Sequence, residues 1–223
     1  MNEETYHTET EQDNGQHKTF FTQLEARVLA CLMEKQLTTP NNYPLTQNSL
    51  LLACNQKSNR QPVMNLTQGQ VGHTVNQLER RNLVRIDYTG RASHVAHCAT
   101  NALELNKKKQ AVLTILMLRE PLTLNDIKAR TARMVDFEDA NEVHEIVQQL
   151  VEADMPKVVQ LPKSHGSREN RYTHVLCGEV KIEEEQTPVI AKGRVNITKQ
   201  KKLEDRIVAL EQKVEKLMRL LED

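Results

Sequence analysis

Pro44-Leu45-Thr46-Gln47-Asn48-Ser49-Leu50 is answered later in the chain by Pro121-Leu122-Thr123-Leu124-Asn125-Asp126-Ile127. Two further pieces flank it in the same order. Val28-Leu29-Ala30-Cys31-Leu32 matches Val112-Leu113-Thr114-Ile115-Leu116, and Val71-Gly72-His73-Thr74-Val75-Asn76-Gln77-Leu78 matches Val143-His144-Glu145-Ile146-Val147-Gln148-Gln149-Leu150. The offsets shrink from 84 (Val28 to Val112) through 77 (Pro44 to Pro121) to 72 (Val71 to Val143), so the first copy carries the longer connections. Ordered matches with loop-length differences describe one module used twice.

In the first copy Thr22 and Glu25 have capping-box spacing, and Leu24, Val28, Cys31 and Leu32 then share a helical face. The turn-rich residues 38–44 end that helix. Thr46 caps a second helix to about Ala53 that buries Leu50 with Leu51 or Ala53, and residues 55–65 form a polar connection. Thr67 starts a third helix with Val71, Val75 and Leu78 as its buried stripe. Residues 83–87 and 95–98 read as strands around a loop at 88–93. The second copy repeats the plan with helices at 106–118, 124–132 and 139–152 and a hairpin of 157–161 with 171–176. Three helices and a two-stranded wing define a winged helix, a helix-turn-helix variant.

The expected fold is therefore mainly α with small β-hairpin wings (α+β): two tandem winged-helix domains, at 20–100 and 101–180, plus a C-terminal coiled-coil helix. Residues 1–19, with one lysine against five acids, read as a disordered acidic tail. Residues 181–200 read as a linker and 201–223 as the coiled coil. There Leu203, Leu210 and Leu217 at d alternate with Ile207, Val214 and Leu221 at a, a seam that favours a parallel homodimer. Met218 and Leu220 widen the apolar stripe, so folding back onto the winged helices stays open as the alternative.

The 223 residues suffice for two small domains, and no apolar run approaches the roughly 20 residues of a bilayer span. No secretory leader pattern is visible at the start, and Cys31, Cys54, Cys98 and Cys177 lie far apart without a CxxC pair. A cytoplasmic protein with buried free thiols at Cys31 and Cys54 is expected. The net charge of zero argues against indiscriminate coating of nucleic acid. Residues 20–100 nevertheless carry eight basic against four acidic side chains, whereas 101–180 carry eleven against twelve.

At this point the chain resembles the YceH family of uncharacterised bacterial cytosolic proteins. The resemblance rests on Tyr43-Pro44-Leu45-Thr46, on Ala53-Cys54-Asn55-Gln56-Lys57-Ser58-Asn59-Arg60 with Pro62-Val63, and on Gly166-Ser167-Arg168-Glu169 with Arg171, Tyr172 and His174. It covers roughly residues 20–178 and the heptad tail, leaves the acidic start outside, and implies two winged helices. It implies no activity, ligand or catalytic residue.

The third helix of the first copy is the candidate for a major groove. Gln70, His73, Thr74 and Gln77 lie opposite its buried stripe, and Lys57, Arg60, Arg80, Arg81 and Arg91 surround it as candidate phosphate contacts. Its counterpart carries Glu138, Asp139, Glu142 and Glu145, a face that repels phosphate and suits a protein partner. Lys163, Arg168 and Arg171 give the second wing a basic loop, with an internal ion-pair set around Glu169 as the favoured reading. His94, His97 and Cys98 crowd one strand, but adjacent strand positions face opposite ways and do not share one metal ion. No nucleophile elbow, phosphate loop or paired metal-ligand motif is present. The expected function is non-enzymatic: a DNA-associated regulator or adaptor, without cofactor or metal, whose first domain contacts double-stranded DNA and whose second docks a protein. The alternative is a protein-binding scaffold that does not touch DNA.

Overall fold

The Thr22 hydroxyl accepts the Glu25 amide (3.1 Å) while the Glu25 carboxylate accepts the Thr22 amide (2.8 Å), and α1 (Gln23–Thr38) starts on that reciprocal cap. The computed structural model describes residues 20–88, 92–119, 121–163, 169–178 and 180. The acidic tail, the linker and the heptad helix with Leu203, Ile207, Leu210, Val214, Leu217 and Leu221 lie outside the described residues.

After α1 the chain makes a 3-10 turn (Pro40–Asn42), a two-residue strand β1 (Leu45–Thr46) and α2 (Gln47–Cys54), which Thr46 caps by accepting the Ser49 amide at 3.2 Å. α3 (Gln68–Arg80), β2 (Val84–Asp87) and β3 (His94–His97) complete the first copy. The single-turn α4 (Ala99–Ala102) leads into α5 (Lys107–Leu118), α6 (Leu124–Thr131), α7 (Ala140–Val151), β4 (Val158–Leu161) and β5 (Arg171–His174). The fold is mixed α+β, with seven α-helices and two small antiparallel sheets among the described residues. No described helix is long and apolar enough to cross a membrane.

The strands extend the repeat beyond what its sequence shows. β1 joins the first hairpin in the order β1-β3-β2, with Leu45 opposite Val95. In the second copy Leu122, which aligns with Leu45, makes the corresponding bridge to Tyr172, each accepting the other's amide (3.0 and 2.8 Å). His97 and His174 then occupy equivalent ends of the two hairpins, opposite Val84 and Val158. Cys98, expected inside a strand, lies just after β3.

α1 and α5 depart from the one-faced pattern read from the sequence. Residues 25–34 and 110–118 are buried on every side, because each helix is wrapped by its own copy and packs on the other. A helix enclosed all round belongs to a core. One continuous core runs from Leu29 and Leu32 through Leu113 and Leu116 to Leu150, so the two copies share an interior. Polar contacts fasten the seam. Gln110 Nε2 donates to Met33 O (3.3 Å) and Gln36 Oε1 (2.9 Å), and the Gln61 amide donates to Leu118 O (2.8 Å).

Candidate nucleic-acid interface

α3 begins on another reciprocal cap: Thr67 Oγ1 accepts the Gln70 amide (3.3 Å) and Gln70 Oε1 accepts the Thr67 amide (2.9 Å). Val71, Val75 and Leu78 are buried, which turns His73, Asn76, Gln77 and Arg80 to solvent. Glu79, the one carboxylate in this helix, reaches toward the wing and accepts the Ile86 amide (3.2 Å). The exposed face thus combines a cation with hydrogen-bonding groups and carries no exposed carboxylate. Among the described residues packing does not demand the glycines here: a Cβ at Gly72 would meet nothing within 4 Å, and one at Gly69 only Thr67 Oγ1 at 4.0 Å.

Two expected contacts are corrected. Thr74 is buried and donates back to Gln70 O (2.8 Å), a local bond that β-hydroxyl side chains make within helices. Arg60 is also buried, its guanidinium spent on Ala53 O (3.0 Å), Asn59 O (2.8 Å) and both oxygens of Glu34 (3.2 and 2.5 Å). Arg81 is half-buried, donating to Glu25 (2.9 Å) and lying over the Phe21 ring at 4.6 Å. Lys57, Gln70, His73 and Gln77 are exposed, although the Gln70 carbonyl is used in the cap. Arg91 lies outside the described residues.

The equivalent helix α7 differs in chemistry. Asp139 caps it by accepting the Glu142 amide (2.8 Å), and this bond holds the Asp139 carboxyl below its ordinary pKa. Glu142 accepts Lys108 Nζ and the Glu138 amide, and the lysine lowers it in turn. Glu145, Glu138 and Glu152 are exposed. In the second wing Lys163 and Arg171 are exposed and Arg168 lies outside the described residues. Glu169 accepts Asn125 Nδ2 (3.2 Å), tying the wing to α6.

His97 is buried, with Nε2 2.8 Å from Gln36 Oε1 and its ring edge-on to Tyr43. Burial pushes it down to about 4, so it is neutral near pH 7. Among the described residues no group of three His, Cys, Asp or Glu side chains is arranged to hold a metal ion. An open groove of about 640 Å³ runs past Lys35, Asn41, Asn42, Thr46, Ser49 and Gln56.

Behind α2 the polar connection closes over a buried cluster. Arg27 donates to Cys54 O (3.2 Å) and Pro62 O (2.7 Å), and Cys31 Sγ lies 3.4 Å from Ala53 O. The Asn55 amide clasps Leu66 N and O at 2.8 Å each, and Arg119 donates to Asn59 Oδ1.

Residues 21–167 match the family model described as "Protein of unknown function, DUF480". The chain belongs to the DUF480 family. Its relatives include the UPF0502 protein of Cellvibrio japonicus, 42% identical over 205 residues that span 90% of this chain and 94% of that one. A UPF0502 protein of Pseudomonas putida is 41% identical over 191 residues (86% and 88%), and one of Azotobacter vinelandii 44% over 164 residues (74% and 73%). These are uncharacterised bacterial proteins, as the sequence resemblance implied.

Within the DUF480 span, the string from Cys54 to Arg60 forms a brace between the copies. Asn59 takes φ +61°, a left-handed conformation that asparagine tolerates better than most residues, and this aims Arg60 inward. Reading residues singly missed Arg27 and Glu34, because arginine and glutamate are ordinarily surface residues. Their positions with Cys31 at i, i+4 and i+7 on α1 were the available signal of a shared face.

Proposed function

We propose that this protein is a non-enzymatic DNA-associated regulator or adaptor, cytoplasmic and built from tandem winged helices. α3 enters the major groove, the second copy docks a protein, and the heptad helix joins two chains. The observation that carries this reading is the exposed face of α3, where His73, Asn76, Gln77 and Arg80 stand without an exposed carboxylate. Asparagine, glutamine and arginine are the side chains that read base edges in the major groove. The helical order with its β1-β3-β2 sheet supports a winged helix. Gly69 and Gly72 agree: glycine costs a helix about 1 kcal/mol each, no atom of the described residues packs where their side chains would be, and they leave backbone open to close approach. Arg60 and Thr74 drop out of the interface, Arg81 is engaged by Glu25 and the Phe21 ring, and Lys57, Arg80 and Arg91 remain as the proposed phosphate contacts. The exposed acids of α7 favour a protein partner for the second copy.

A salt titration of binding to duplex DNA tests the reading. Wild type binds with a negative slope, and Lys57→Ala with Arg80→Ala makes it shallower by about 0.9 for each phosphate no longer neutralised. Gln77→Ala and His73→Ala reduce discrimination between preferred and random duplexes more than affinity for random DNA. Absence of binding at low salt supports the alternative, a protein-binding scaffold.

A further inference from the structure

The acidic residues 1–19 join the fold beside the candidate interface. Phe21 is buried, its amide donating to Leu176 O (2.7 Å), with the Arg81 guanidinium over its ring at 4.6 Å. Arg81 is the C-cap of α3, so the chain enters the described fold at the C-terminal end of that helix, next to the exposed Arg80. Ion pairing has cleared the surface there of most carboxylates. Of the four acids in residues 20–100, Glu25 is buried against Arg81 and Glu34 against Arg60, Glu79 is turned to the Ile86 amide, and only Asp87 is exposed. Lys57, Arg80 and Arg85 are exposed. Residues 1–19 have the opposite character, with Glu3, Glu4, Glu9, Glu11 and Asp13 against Lys18, and they lie outside the span that the family model matches.

We propose that residues 1–19 dock along the exposed face of α3 as an internal polyanion and compete there with DNA. This deepens the reading of α3 as a phosphate-facing helix and rests on it. The lengths fit. The 13 residues of α3 span about 20 Å. Asp13, Glu11 and Glu9 stand eight, ten and twelve residues before Phe21, and extended chain carries them up to about 26, 33 and 40 Å from it. Each therefore reaches any point of the helix. A segment running back from Arg80 also ends at the N-terminus of α3, where the helix dipole favours carboxylates. A tether this short holds its acids near the face at about millimolar concentration, so an intrinsic Kd of about 0.1 mM leaves about one face in ten open. The apparent affinity for DNA is then about tenfold weaker than that of the open face. Salt screens the contact, with a Debye length of about 10 Å at 0.1 M.

The test uses the full chain. In a Cys98→Ser/Cys177→Ser background a nitroxide spin label is attached at Thr10→Cys, the remaining Cys31 and Cys54 being buried. The label broadens the amide NMR signals of His73, Gln77 and Arg80 at about 50 mM salt and spares them above about 300 mM. Neutralising the segment with Glu9→Gln, Glu11→Gln and Asp13→Asn removes the broadening. The same substitutions, without the label, tighten binding to a random duplex toward tenfold at about 50 mM salt, and the gain shrinks as salt rises. Glu138→Gln with Glu145→Gln and Glu152→Gln makes an equal change in net charge on the second copy and gives a smaller gain. Broadening of α3 with no DNA binding by any variant supports the docking and overturns the DNA reading. Broadening centred elsewhere, as at Lys107 and Lys109 of α5, overturns the proposal, as do equal gains from the two neutralisations.

Discussion

Replacing Arg60 with alanine leaves Glu34 without its bidentate partner and two carbonyls with fewer donors. The Arg60 side chain is fully buried and that of Glu34 is 11% exposed, so water replaces little of what is removed. Removing one partner of a buried ion pair costs about 3–5 kcal/mol. Two features put this site at the lower end. Lys35 Nζ lies 3.7 Å from Glu34 as a second counter-ion, and Ala53 O still faces Cys31 Sγ at 3.4 Å. The expected loss is about 3 kcal/mol, which moves a urea midpoint by about 1.5 M if m is about 2 kcal/mol/M. Arg60→Lys keeps the charge but not the planar fork, and falls between wild type and alanine.

A paired variant separates the charge from the packing. Arg60→Met with Glu34→Met removes both ions and keeps apolar volume, so it recovers to within about 1 kcal/mol of wild type. Urea unfolding followed by circular dichroism measures all four proteins. A loss below about 1 kcal/mol for Arg60→Ala would refute the reasoning, as would a paired variant no better than the single one. The same variant separates brace from interface: where DNA binds at all, Arg60→Ala leaves the salt slope unchanged.

Two further outcomes follow from the structure and the heptads. His97 titrates near 4 when folded against an ordinary 6.5, so the unfolded chain binds a proton that the native state refuses; stability is full above about 6.5 and falls by at most about 3 kcal/mol as pH drops toward 4, and His97→Gln flattens this part of a pH series of urea melts relative to wild type. For the tail, light scattering at tens of micromolar finds a dimer for the full chain and a monomer for a chain ending near Thr198, and a dimer that survives the truncation removes the heptads from this role.

How much of the fold was legible depended on whether a local rule carried it. The caps at Thr22, Thr46 and Thr67 and the stripe Val71, Val75 and Leu78 are short-range signals, and the structure uses each as the sequence suggests. β1 was not legible, because two residues give no alternation to detect; only the partner strand defines it. Within the candidate site, His73 and Gln77 were legible as positions opposite an apolar stripe. Thr74 was misplaced rather than illegible: at i+3 from Val71 and i−4 from Leu78 it shares the buried stripe, and its hydroxyl is satisfied by Gln70 O. Arg60 misled for a different reason. A basic residue in a polar connection belongs on the surface by composition, and only the tertiary position of Glu34, 26 residues earlier, draws it inside.

The shared core changes what a duplicated module means here. Two copies on a flexible linker would bind their ligands independently, with only an effective concentration between them. In this protein residues 25–34 of α1 and 110–118 of α5 are buried all round against each other and their own copies, and the brace from Cys54 to Arg60, with Gln61 beside it, is fastened to both. The faces of α3 and α7 are therefore held at a fixed orientation, and they have diverged from the same repeat element into a carboxylate-free face and an acidic one. Under the proposed function, this fixed geometry is what would let one core hold DNA against the α3 face and a protein against the α7 face.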